Sequence, residues 1–170
     1  MADNNIFVKK AKSALVGNIL IAADKSISHR SLIFSALANG KNTISNLLES
    51  EDVLDTAKAL QQMGVNIQKK DSGTYEIIGS GISGLTESEN TLDLGNSGTG
   101  VRLLMGLVTP FKFKSFFTGD ESLRSRPMKR IFDPMRQIGA KIIARKENFL
   151  PAVIEGSDEA LAINYKMPKA

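Results

Sequence analysis

Gln62-Met63-Gly64-Val65-Asn66-Ile67 returns in the second half of the chain as Gln137-Ile138-Gly139-Ala140-Lys141-Ile142. What surrounds each block also returns, in the same order. Ahead of the first block stand a helix-like segment from Lys25, the strand-like Thr43-Ile44-Ser45-Asn46-Leu47 and a second helix-like segment; behind it comes Tyr75-Glu76-Ile77-Ile78-Gly79. Ahead of the second stand a helix-like segment from Asn96, Lys114-Ser115-Phe116-Phe117 and another helix; behind it comes Ala152-Val153-Ile154-Glu155-Gly156. The offset drifts from about 71 to about 77 residues, as for one supersecondary unit copied with loop insertions. A Q-x-G-x-x-I block alone recurs by chance; the whole element order does not.

The repeated unit reads β-α-β-α-β-β, an α/β (α+β) arrangement with one inner and one outer helix. Short strands are expected at 6–10 and 18–22. The first helix is expected from about 26 to 38, closing at Asn39-Gly40. Its apolar residues Ile27, Leu32, Ile33, Phe34, Ala36 and Leu37 lie on several faces, which predicts a largely buried helix. The next helix opens at a Ser50 cap with Glu51 and Asp52 in its first turn, and Val53, Leu54, Ala57 and Leu60 form one stripe. The second unit repeats the contrast. Val101, Leu103, Leu104, Met105, Leu107 and Val108 make an all-round apolar helix. A surface helix opened by Pro127 then carries Met128, Ile131, Phe132, Met135 and Ile138 on one face. From Ser157 a third unit is expected to begin, with Ala162-Ile163-Asn164-Tyr165.

The inner helices share a second feature. Asp24-Lys25-Ser26-Ile27-Ser28-His29-Arg30-Ser31 and Leu94-Gly95-Asn96-Ser97-Gly98-Thr99-Gly100-Val101-Arg102 each open a helix with small hydrogen-bonding residues and follow with an Arg. A helix N-terminus presents unpaired N–H groups and the positive end of the macrodipole. Hydroxyls add donors, glycine admits an oxyanion close to the backbone, and Lys or Arg adds full charge. Bland readings stand beside this one. Lys25, Ser26 and Arg30 also suit a capped helix with solvated charges, and Asn96 to Gly100 suit a turn before a helix. Arg102 suits a structural ion pair, and Arg124, Arg126, Lys129 and Arg130 suit a solvated face. His29, the one His, reads as structural rather than as a general base.

Composition bounds the partners. The net charge is +4, from 22 basic and 18 acidic residues. That suits an anionic small substrate better than a nucleic acid, and eight Phe, two Tyr and no Trp make a poor stacking platform for bases. There is no Cys, which excludes a thiolate nucleophile or disulfide within these residues. Asp24, Asp52 and Asp120 lack His or Cys companions at ligand spacing, so neither a metal nor a cofactor is called for. No run approaches the roughly 18 apolar residues of a membrane span, and no secretory signal is evident. Cytoplasmic residence is expected.

Asp24-Lys25-Ser26-Ile27-Ser28-His29-Arg30, Leu94 to Arg102, and Thr118-Gly119-Asp120-Glu121-Ser122-Leu123-Arg124-Ser125-Arg126-Pro127-Met128 together resemble the 5-enolpyruvylshikimate-3-phosphate synthase (3-phosphoshikimate 1-carboxyvinyltransferase) family, in order and over nearly the whole chain. The resemblance implies transfer of the carboxyvinyl group of phosphoenolpyruvate to the 5-hydroxyl of shikimate 3-phosphate, in the shikimate pathway to chorismate and the aromatic amino acids. It implies two similar domains of three β-α-β-α-β-β units with substrates in the cleft between them. Carried over by motif, Lys25 touches both substrates and is catalytic, while Ser26 and Arg30 bind shikimate 3-phosphate. Asn96, Gly98 and Arg126 line the phosphoenolpyruvate pocket, for which glyphosate competes in the family. A larger side chain at 98 would crowd it.

Members of that family are much longer, and their proton-transfer acids lie beyond the matching region. The chain is therefore expected to be an N-terminal portion. Residues 1–20 would belong to the other domain. Residues 21–170 would form an incomplete domain, with units at about 21–80 and 90–156 and a third starting at 157. Such a portion alone is expected to expose apolar surface of the inner helices and self-associate, whereas the full-length family member is expected to be monomeric. It is also expected to lack turnover and to bind anions at roughly millimolar dissociation constants, about 4 kcal/mol. Other readings stay open: the sister transferase acting on UDP-N-acetylglucosamine, a non-catalytic phosphate-binding or interaction module, or a relative of the RNA 3′-phosphate cyclases.

Overall fold

The structure, a computed structural model, describes residues 7–167 apart from Lys12 and Leu20. Five helices and seven strands are present among them: α1 (Lys25–Leu37), β1 (Asn39–Ile44), α2 (Glu51–Gln62), β2 (Asn66–Asp71), β3 (Thr74–Ser80), β4 (Leu92–Asp93), α3 (Gly98–Val108), β5 (Lys114–Thr118), α4 (Glu121–Ser125), α5 (Lys129–Ile138), β6 (Lys141–Arg145) and β7 (Phe149–Glu155).

The strands form two sheets, ordered β1-β3-β2 and β4-β5-β7-β6. In each, the last strand of its half sits in the middle, flanked by the two before it. β3 runs antiparallel to β1 and β2, and β7 antiparallel to β5 and β6. The short β4 adds a parallel edge to β5. One buried cluster joins both halves, drawing Leu32 and Ala36 from α1, Val53 and Leu60 from α2, Leu104 and Met105 from α3, Phe132 from α5, and Ile77 and Ile154 from the central strands.

The repeated Q-x-G block has a conformational cause. Gly64 and Gly139 follow α2 and α5 with φ of 90° and 119°, the left-handed region. An L-residue is strained there and glycine is not, so each block ends a helix and turns the chain into β2 or β6.

The helices begin and end close to expectation, with differences in detail. α1 is capped by Asp24, whose Oδ1 accepts the Ile27 N–H at 2.7 Å. Such a cap contributes about 1 kcal/mol. Lys25 and Ser26 thus occupy the first turn. Ser50 precedes α2 as expected but makes no side-chain cap. In α2, Val53, Ala57 and Leu60 are buried while Leu54 faces outward. α1 is less buried than its composition suggested, since Ile27 and Phe34 are 68% and 65% exposed. A helix apolar on all sides but covered on one leaves apolar residues on the other. α4, absent from the sequence expectation, is a single turn capped by Asp120. Pro134 lies inside α5 and removes one backbone donor there.

The strands expected at 6–10 and 18–22 are not formed. Ile6 and Leu20 fall outside the described residues; the rest is irregular, and Phe7, Val8, Ile19 and Ile21 are exposed. A strand is stable only when its backbone pairs, and no described strand lies alongside. The strand-like 162–165 is likewise irregular. No helix among the described residues is long and apolar enough to cross a membrane.

Candidate functional site

The six motif residues gather at two helix mouths. At the first, the Asp24 cap fixes the opening turn of α1, leaving Lys25, Ser26 and Arg30 exposed. Arg30 Nη1 donates back to the Ser26 carbonyl at 3.0 Å, so these two residues share one turn. Lys25 Nζ pairs with Asp52 Oδ2 in the first turn of α2. Asp52 read from sequence as a helix-dipole residue; the fold makes it the counter-ion of Lys25.

His29 lies one turn deeper. It is fully buried, with Nδ1 2.8 Å from Thr56 Oγ1. Burial, then the positive field of Lys25 and Arg30, holds its pKa below the usual 6.5 against the opposing pull of Asp52. The ring is therefore neutral near pH 7, consistent with a structural His.

At the second mouth, Ser97 caps α3 by accepting the Gly100 N–H at 3.2 Å. Gly98 is buried, and its carbonyl accepts Arg102 Nη1 at 2.8 Å. A Cβ at position 98 would lie 2.8 Å from Arg102 Nη1 and 2.9 Å from Arg126 Nη1. Glycine is thus what lets two guanidinium groups close over this turn.

Arg126 is held by a chain of polar contacts. Its Nη2 donates to Asn96 Oδ1 at 2.6 Å and to Ser122 Oγ at 3.1 Å. Asn96 Nδ2 donates to Asp120 Oδ2 at 2.7 Å, and Asp120 Oδ1 caps α4 through the Leu123 N–H. The Asn96 hydrogen bond, then the Leu123 N–H, holds the Asp120 carboxyl below its usual pKa. α4, the element missed from sequence, is therefore what places Arg126 beside Gly98.

Charge balance separates this cluster from a structural ion pair. Burial, then the proximity of Arg126 and Arg130, pushes the Arg102 guanidinium below its usual pKa. Among the described residues no carboxylate forms a salt bridge with Arg102, Arg126, Arg130 or Arg30, although eight such bridges form elsewhere. Like charges gathered without a direct salt bridge, with Asp120 held one residue away behind Asn96, create a positive field suited to an anion. Arg102, which also suited an ion pair, lies with Arg126 beside Gly98, and Arg130 is close enough for its charge to act on Arg102. Gly98 and Gly100 followed by Arg102 carried that signal for Arg102.

The chain resembles known proteins throughout this region. Residues 9–170 match the family described as EPSP synthase (3-phosphoshikimate 1-carboxyvinyltransferase). A curated relative from Paramagnetospirillum magneticum, named 3-phosphoshikimate 1-carboxyvinyltransferase, is 46% identical over 156 residues, covering 92% of this chain and 35% of the relative. One of the same name from Magnetococcus marinus is 49% identical over 161 residues, covering 94% and 36%. A solved EPSP synthase from Acinetobacter baumannii superposes with a TM-score of 0.85 at 41% identity, over 91% of this chain and 35% of that one. The chain spans about a third of the length of the relatives it matches. With the family match running over almost every residue, this chain belongs to the EPSP synthase family.

Proposed function

We propose that the protein carrying this chain transfers the enolpyruvyl group of phosphoenolpyruvate to the 5-hydroxyl of shikimate 3-phosphate and releases phosphate. The hydroxyl oxygen bonds to C2 of phosphoenolpyruvate as it gives up its proton to a base, while C3 gains a proton from an acid. Loss of a proton from C3 then expels phosphate from C2. The observation that carries this reading is the pair Arg102 and Arg126 at Gly98, neither of them in a direct salt bridge among the described residues. It suits a small dianion or trianion held against a helix N-terminus.

Roles follow the two mouths. Ser26 and Arg30 bind shikimate 3-phosphate. Asn96, Gly98 and Arg126 take phosphoenolpyruvate. Lys25 reaches both substrates and stabilises charge developing between them. Holding two polyanions in reach of one another is the part of catalysis these residues supply, because orientation replaces a bimolecular encounter. The remaining proposals concern the whole protein. Residues 1–20 belong to a second domain, 21–170 to a domain completed by further units, and the protein works as a cytoplasmic monomer on soluble substrates without a cofactor.

The test is a substrate swap in a phosphate-release assay on the full-length protein. Turnover with phosphoenolpyruvate plus shikimate 3-phosphate is expected. Turnover only with UDP-N-acetylglucosamine, or with neither acceptor, overturns the reading.

A further inference from the structure

Lys25 and His29 are four residues apart on α1, and Asp52 and Thr56 are four apart on α2. That spacing puts each pair on one helix face, one turn above the other. The two faces meet as a ladder with two rungs. The outer rung is the Lys25–Asp52 ion pair, with the lysine side chain 49% exposed. The inner rung is the His29–Thr56 contact at 2.8 Å, with both residues fully buried. Thr56 Oγ1 also donates to the Asp52 carbonyl at 3.3 Å, which ties the rungs together.

The far side of Thr56 meets the second mouth. A Cβ at position 100 would lie 2.5 Å from Thr56 Oγ1 and 2.6 Å from Ser97 Oγ. Gly100 therefore seats the first turn of α3 directly on Thr56. Gly98, with its arginine pair, is two residues away. One hydroxyl thus touches the helix that carries Lys25, Ser26 and Arg30 and the helix that carries Gly98.

The inner rung joins His29 Nδ1 and Thr56 Oγ1 in either tautomer. In both, His29 Nε2 is buried and without a hydrogen-bond partner among the described residues. A charged ring would carry a donor there with nothing to receive it. The pair positions; it carries no proton.

We propose that His29 and Thr56 are positioning residues that set the separation between the Lys25 half-site and the Gly98–Arg126 half-site. The proposal rests on the enolpyruvyl-transfer reading. The half-exposed Lys25–Asp52 pair ties Lys25 to α2 but makes no contact of its own with α3. The buried rung supplies it by locking α1, α2 and α3 at one point. A displacement of about 1 Å between reacting groups costs on the order of 100-fold in rate.

The experiment compares Thr56→Val, Thr56→Ser and His29→Leu in the full-length protein, with kcat, both KM values and the melting temperature read for each. Valine keeps the shape and loses the hydroxyl; serine keeps the hydroxyl. Thr56→Val is expected to lower kcat about 30-fold while each KM moves less than about threefold, the split expected when bound partners are misplaced. Thr56→Ser is expected to restore kcat to within about threefold of wild type, and the His29→Leu/Thr56→Val double variant to be no worse than the poorer single one. Unchanged kcat in Thr56→Val, equal loss in Thr56→Ser, or additive losses in the double variant each overturn the proposal. An inert wild type sinks the enzymatic reading instead. Calorimetry with inorganic phosphate then reads the half-sites one at a time: Thr56→Val and Thr56→Ser are both expected to bind within about threefold of wild type, and a loss of about tenfold in Thr56→Val overturns the positioning role.

Discussion

Arg126 donates to Asn96 across 30 residues of sequence, at 2.6 Å, and that bond brings the guanidinium over Gly98. Asn96 is in turn oriented by Asp120, the cap of α4. The half-site proposed for phosphoenolpyruvate is therefore a hydrogen-bonded arrangement rather than a row of unconnected surface arginines.

Asn96→Ala removes the middle of that chain. Arg126 loses its anchor and Asp120 its strongest stabiliser. The KM for phosphoenolpyruvate should rise by about tenfold, equivalent to one charge-assisted hydrogen bond, with little change for shikimate 3-phosphate. Steady-state kinetics with each substrate varied in turn checks this.

Gly98→Ala places a methyl group 2.8 Å and 2.9 Å from two guanidinium nitrogens. Both belong to long side chains that can swing aside, so the fold should survive with a melting temperature within a few degrees of wild type. The anion pocket should not: phosphoenolpyruvate affinity is expected to fall about tenfold as the arginines are displaced. Calorimetric titration alongside a thermal melt separates the two effects.

Stability at low pH is set partly by Glu49. The hydrogen bond from Lys69, then that from Tyr75 at 2.7 Å, holds the Glu49 carboxyl at about 2. Its pKa is depressed on folding, so its contribution is full above the usual 4.5 and is lost as pH falls toward 2. The melting-temperature gap between wild type and Glu49→Gln should be constant above pH 4.5 and close below it.

His29 acts earlier in an acid titration. Its folded pKa is depressed, so its neutral form contributes fully above the usual 6.5. Below that pH the unfolded chain takes up a proton that the folded chain refuses, and stability falls. His29→Gln should flatten the stability profile just below pH 6.5, measured by chemical denaturation at a series of pH values.

The repeat was legible because Gly64 and Gly139 are demanded by backbone geometry, which sequence records directly. The stripes of α2 and α5 were legible for the same kind of reason, as burial on one face leaves a period. α4 was not, because one turn carries no period and Asp120 reads only as a candidate metal ligand and as part of the family motif at 118–128. The exposed Ile27 and Phe34 were not, since an all-round apolar helix does not say which side is covered. Lys25, Ser26, Arg30, Asn96, Gly98 and Arg126 could be read from motifs. The bonds that place them, such as His29 to Thr56 over 27 residues, depend on how α1, α2 and α3 pack and leave no local trace.

Phosphorus NMR of one reaction tests the central claim most directly. The full-length protein, phosphoenolpyruvate and shikimate 3-phosphate are mixed and the phosphorus signals followed, beside Lys25→Ala and Arg126→Ala. The expected result is loss of the phosphoenolpyruvate signal in step with growth of inorganic phosphate and a new phosphomonoester, slowed by at least about 100-fold in each variant. Unchanged phosphoenolpyruvate with the wild-type protein, or equal rates in all three proteins, would contradict the account.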